Sequence, residues 1–265
     1  MLEALQYDFI QNAIISGILV SIAAGIIGSL VVANKITFLA GGIAHSSYGG
    51  IGLAIFLGIP VLFGATVFAV ATAMVIAALT IKSRKRIDAI IGIMWAFGMA
   101  VGIIFVDLTP GYNVDLMSYL FGSIIAVSHE DIVYLAILDV FIIGAVLLFY
   151  KQILAVSYDS EFALLRGINV RFFYTLILIL AALSVVGAIK VVGLILVIAL
   201  LTIPTYLAEM FAKKLSSMMI ISAFLATIFT LIGLVISYYF DISSGASIIV
   251  VGVAALLISK LLGKK

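Results

Sequence analysis

Uninterrupted apolar runs of about twenty residues recur along the whole of this chain, and that single feature rules out most folds. A helix of about twenty residues crosses the roughly 30 Å hydrocarbon layer of a bilayer, and only closed hydrogen-bonded elements survive there. Breaks between the runs place spans near residues 11–33, 37–58, 61–81, 88–106, 131–150, 171–188, 191–211, 216–240 and 244–262. The expectation is an all-α integral membrane protein, a polytopic bundle of about nine transmembrane helices. Eight is the alternative, because only Ala188, Ile189 and Lys190 divide two of the runs. Composition agrees: of 265 residues 66% are hydrophobic and 10% charged, with a mean hydropathy of +1.42, whereas soluble domains are about one-quarter charged. No soluble domain or low-complexity tract interrupts residues 1–265, which read as one transmembrane domain.

Positive residues near span ends are retained on the cytoplasmic side. Lys35, Lys82, Arg84, Lys85, Arg86, Lys151, Arg166, Arg171, Lys213, Lys214, Lys260, Lys264 and Lys265 all fall on one side of the nine-span arrangement, and Lys190 falls on the other. The expected protein is therefore a multi-pass component of the cytoplasmic membrane with its N-terminus outside and its C-terminus inside. Glu3 and Asp8 precede the first run in place of a basic stretch, so that run reads as retained. No cysteine is present, which excludes disulfides and thiolate metal ligands; Met thioethers stay available.

Two connections exceed a simple turn. Residues 107–130 are too short and too broken to span, and are expected to dip into the bundle or lie on its rim. On the basic side, Ser157 to Ile168 reads as a short helix with acids at its start and Arg166 and Gly167 at its end. Small residues recur at four-residue spacing at Gly17, Ser21, Gly25 and Ser29, and again at Gly42, Ser46 and Gly50, which lets helices approach closely.

Ionisable groups inside a membrane are costly, so two stand out. His45 lies eight residues into the second span from the basic end, and Asp139 eight residues into the fifth from the other end. Both sit about 12 Å deep at 1.5 Å per residue. A neutral histidine or a hydrogen-bonded structural aspartate would account for each alone. Together an imidazole and a carboxylate suit zinc or manganese. The chain has no Gly-x4-Gly-Lys-Ser/Thr phosphate loop, no His-Glu-x-x-His pair and no Gly-x-Ser-x-Gly elbow, which argues against ATP binding or an intramembrane enzyme.

Glu161, Ala163 and Gly167, with Arg166 beside the glycine, follow a Glu-x-Ala-x3-Gly pattern that resembles the cytoplasmic coupling helix of ABC importer permeases. Further segments extend the resemblance over nearly the whole chain. They are Asn34-Lys-Ile-Thr-Phe-Leu-Ala-Gly-Gly-Ile-Ala-His45, Asp88 to Gly92, Tyr119 to Val127, Lys190 to Val197 with Pro204 after it, and Ser237 to Gly252. Their order is similar to that of the zinc and manganese permease family of ABC transporters. The resemblance implies a permease homodimer, two cytoplasmic ATPase subunits and a separate extracytoplasmic metal-binding protein. It implies no bound cofactor and no nucleic-acid partner; the divalent metal is cargo. In that family an Asp commonly precedes the second-span His by four residues, and here Gly41 stands in its place. The carry-over of the metal site is limited to His45, with Asp139 offered by its depth. Two alternatives stay open: a secondary transporter using Asp139 as an ion site, and an ABC permease for a chelated metal or a vitamin.

Overall fold

The computed structural model describes residues 6–81, 86–110, 122, 124 and 127–262. The described elements are helical: α1 (Asp8–Ala33), α2 (Phe38–Leu57), α3 (Val61–Thr80), α4 (Ile87–Asp107), α5 (His129–Leu148), α6 (Tyr150–Tyr158), α7 (Ser160–Leu165), α8 (Val170–Phe211), α9 (Leu215–Phe240) and α10 (Ser244–Leu262). Counting the two arms of α8, Val170–Ile189 and Val191–Phe211, separately, eight helices among the described residues are long and apolar enough to cross a membrane. α2 is as long as α3 but less apolar, because glycines, serines and His45 fill its middle.

The contacts at the helix ends sort the bundle into two faces. The ends of α2 and of the first α8 arm meet the starts of α3 and α5 around one cavity, where Ile51, Pro60, Glu130, Asp131 and Ile189 line the wall. Asn12 near the start of α1 donates to the Val127 carbonyl (3.2 Å) on the same face. At the opposite face Asn34 at the end of α1 donates to Ser157 Oγ of α6 (2.9 Å), and Thr80 at the end of α3 bonds Tyr174 near the start of α8 (3.1 Å). Lys35, Lys213 and Lys214 line a cleft there. Lys35, Lys213 and Lys214, which the sequence placed on one side, thus meet on one face of the bundle, and Glu130 and Asp131 lie on the other.

α8 holds 42 residues, about 63 Å if straight, or twice a bilayer's apolar thickness. It does not run straight. Ile189 reaches the acidic face and Glu209 returns to the basic one, so the helix folds back on itself. Gly193, at φ 77° and ψ 165°, is the one residue inside α8 with non-helical dihedrals. That conformation is closed to residues with a Cβ. The two spans part at Lys190, where the sequence placed the division, and the non-helical turn lies three residues further on. Gly122 presses on the break: a Cβ there would lie 2.5 Å from the Val192 carbonyl carbon. Ile124 and Val127 are buried against α1 at Gly17 and Asn12, so these described residues of the 107–130 connection do dip into the bundle.

The small-residue stripes are contact faces. Gly25 of α1 packs on the Ala223 backbone of α9, and Ser21 bonds Thr230 (3.0 Å). Gly28 approaches α8 at Leu201 and Thr205. α2 turns Gly42 to α4 at Ile91, meets Gly98 of α4 at Ser46, and turns Gly50 to Gly64 of α3. Between helices in lipid no hydrophobic gradient operates, so backbone-close van der Waals packing of this kind carries association.

Candidate cation path and coupling element

α2 is flanked by α3, α4 and the second arm of α8, and His45 on it is half-buried. The His45 ring stacks on Trp95 of α4, with centroids 3.9 Å apart and planes 20° from parallel. Its Nδ1 lies 2.9 Å from the Gly41 carbonyl. A carbonyl only accepts, so Nδ1 carries the proton and Nε2 keeps the lone pair, the ligand atom of a neutral imidazole. Trp95 is in turn held by its Nε1–H donating to Met99 Sδ (3.1 Å). A Cβ at Gly41 would meet the Ile198 side chain at 2.8 Å and Trp95 at 3.6 Å. The space an aspartate would occupy is therefore walled by Ile198 and Trp95. Neither was marked by the sequence, since a lone tryptophan and an isoleucine in apolar runs look like ordinary packing.

Asp139 lies on the inward stripe of α5, with Asp131, Leu135, Ile142 and Val146. It is 6% exposed, and its Oδ2 has no hydrogen-bond partner among the described residues. An unpaired carboxylate in such a place is costly unless protonated or bound to a cation. α5 packs chiefly on α1 and α8, whereas α2 packs on α3, α4 and α8. The described residues bring together no group of three or more His, Asp and Glu able to hold a metal ion.

On the acidic face a cavity of about 300 Å³ opens beside Glu130, Asp131 and Tyr134. Asp131 Oδ2 accepts from the Ser128 N–H (2.9 Å) and hydroxyl (2.7 Å) in a capping box that starts α5. Tyr134 bonds Thr66 of α3 (2.8 Å). Asp131 and Asp139 lie two turns apart on the same face of α5, about 12 Å along its axis.

On the basic face the connection expected as a single helix is two, α6 and α7, with Asp159 between them. Asp159 Oδ1 accepts from the Phe162 N–H (2.8 Å) and starts α7. Gly167 ends it at φ 73°, where Ile168 N–H bonds the Ala163 carbonyl (3.0 Å) and Gly167 N–H that of Leu164 (3.0 Å), a Schellman closure. Ala163 is fully buried; Glu161, Leu164, Leu165 and Arg166 are exposed, and the Arg166 guanidinium lies over the Phe162 ring, 5.1 Å from its centroid. A six-residue helix pinned through one alanine thus offers an apolar and charged surface to the solvent.

A helical bundle without strands among its described residues, a central histidine and an outward helical knob on the basic face define a polytopic membrane permease. Residues 6–263 match the ABC 3 transport family, and the chain belongs to that family. It is 45% identical over 98% of its length to an uncharacterized membrane protein of Synechocystis, covering 92% of it. It is 33% identical over 98% of its length to the manganese transport system membrane protein MntC of Listeria monocytogenes, covering 93%. Among solved structures, PsaBC from Streptococcus pneumoniae in complex with Fab superposes with a TM-score of 0.87 at 32% identity, over 98% of this chain and 94% of that one. The resemblance read in the sequence is borne out: the chain is a permease subunit, not an enzyme, and ATP hydrolysis falls to a separate subunit.

Proposed function

We propose that this chain is the permease of an importer that moves manganese across the cytoplasmic membrane by alternating access. It would work as a homodimer, with a cytoplasmic ATPase and an extracytoplasmic metal-binding protein. The observation that carries the reading is His45: an imidazole whose Nε2 keeps its lone pair, held by a stack and a backbone hydrogen bond on a helix packed against α3, α4 and α8. Manganese permeases recur among the relatives, the MntC of Listeria monocytogenes and ScaB of Streptococcus gordonii among them, and support manganese over zinc. His45 and Asp139 are the cation-contacting residues. Because α5 packs chiefly on α1 and α8, and α2 on α3, α4 and α8, they serve as successive stations on either side of α8, with Glu130 and Asp131 at the mouth. A second copy would bring a second His45.

On this reading the N-terminus lies outside and the basic face is cytoplasmic. Glu161, Ala163, Arg166 and Gly167 form the coupling element: Ala163 anchors it, Gly167 closes it, and Glu161 and Arg166 face the ATPase. Uptake of radioactive manganese into vesicles holding this chain and its ATPase tests the proposal. His45→Ala and Asp139→Asn should each abolish uptake while the complex still assembles, and Gly167→Val should uncouple ATP hydrolysis from uptake. Transport by the permease alone, down an ion gradient and without ATP, would overturn it. Zinc taken up in preference to manganese would overturn the choice of cargo.

A further inference from the structure

The cleft on the basic face measures about 520 Å³ and lies where α1, α6, the second arm of α8 and α9 meet. Three lysines line it, Lys35, Lys213 and Lys214, against one carboxylate, Glu209. All four are exposed side chains at helix ends, the depth at which headgroups lie beside a membrane protein. Lys35 occupies a left-handed position (φ 57°) just after α1, where Ile36 N–H bonds the Val31 carbonyl and Lys35 N–H that of Val32. Glycine is the usual residue at such a position, so a lysine there keeps a charge at some conformational cost.

Asn34 gives the cleft its specificity. It is 5% exposed and spends its amide N–H groups on the Leu30 carbonyl and on Ser157 Oγ, both at 2.9 Å. Its Oδ1 is buried with no partner, and Asn34 lines the cleft. Buried acceptors are almost always satisfied. An amide oxygen can take either a hydrogen-bond donor or a cation, but the three lysines would repel a divalent ion, which leaves an occupant with a donor beside a negative charge and sets the cleft apart from the cargo route.

We propose that this cleft binds the phosphate of a hydroxyl-bearing anionic lipid headgroup, with Lys35, Lys213 and Lys214 on the phosphate and a headgroup hydroxyl donating to Asn34 Oδ1. The bound headgroup ties the end of α1 to the α8–α9 link and to Ser157 and Tyr158, which lead through Asp159 into α7. Hydrogen phosphate shares this chemistry, an anion with its own O–H, so soluble phosphate is the other source.

The full chain, exchanged into nanodiscs of phosphatidylcholine with a minor share of phosphatidylglycerol and released for native mass spectrometry, tests this. The parent should retain phosphatidylglycerol. Lys35→Gln/Lys213→Gln/Lys214→Gln, which changes only exposed side chains, should weaken retention about 100-fold at roughly fivefold per lysine. Lys151→Gln/Lys260→Gln should retain it as the parent does. Equal retention by the triple variant, or equal loss in the double variant, would overturn the proposal. In a second arm the delipidated chain is heated with inorganic phosphate or with sulfate at matched ionic strength. A higher melting temperature in phosphate alone supports the donor to Asn34, because sulfate carries no proton at neutral pH. Stabilisation by phosphate without retained lipid would assign the cleft to the soluble anion, and no response to either overturns it.

Discussion

Gly98 tests the packing that holds the central helix. A Cβ at Gly98 would fall on the Ser46 carbonyl oxygen of α2 and 2.5 Å from its Cα, whereas ordinary contact begins near 3.4 Å. Both atoms are backbone, so no rotamer change relieves the overlap, and Gly98→Ala must part α2 and α4 by about 1 Å. Overpacking of this kind costs about 1–3 kcal/mol. Alanine also raises helix propensity by up to about 1 kcal/mol, which masks part of the effect. Gly92→Ala removes that ambiguity, because Gly92 lies on the same helix with nothing within 4 Å of its would-be Cβ. The difference between the two variants isolates the steric term. At about 2–4 °C per kcal/mol, Gly98→Ala should melt at least about 2 °C below Gly92→Ala. Trp95, the only tryptophan in the chain, sits one turn before Gly98 and against His45. Its emission in the folded protein should therefore change in Gly98→Ala and stay at the parent's in Gly92→Ala. Two variants that melt within about 1 °C of each other with identical emission would refute the backbone contact, and with it the enclosure of His45.

Gly193→Ala forces a Cβ into the conformation that folds α8 back on itself, at a cost on the order of 1–3 kcal/mol, and should lower the melting temperature of the purified protein. Gly122→Ala strikes the same contact, so the double variant should lose less than the sum of the two; strict additivity would separate the sites. Orientation is readable because the chain has no cysteine. A thiol reagent that cannot cross membranes should label Glu130→Cys and spare Glu161→Cys in intact cells, and the opposite result would invert the topology. Both positions are exposed, whereas Ser157 is buried against Asn34 and unsuited to labelling.

Element identity in this protein is a local matter. A run of about twenty apolar residues in lipid has no hydrogen-bond partner but itself, so the helices, their order and the gathering of lysines and arginines on one face are all readable in one dimension. The Asp159–Gly167 segment is equally local, since a side-chain cap opens it and a glycine closes it. Which faces meet is not local. Gly42 and Gly50 lie on one stripe of α2 yet serve two different helices, α4 and α3. Equal depth for His45 and Asp139 follows from counting residues, but only packing puts α2 among α3, α4 and α8 while α5 lies on α1 and α8. The wall of Ile198 and Trp95 at Gly41, the non-helical turn at Gly193, and the orphaned Oδ1 of Asn34 each depend on residues distant in the chain. The physical reason is that lipid and helix surfaces are almost equally apolar. Partner choice is then left to shape complementarity between whole helices, a property of the assembled bundle that no single segment encodes.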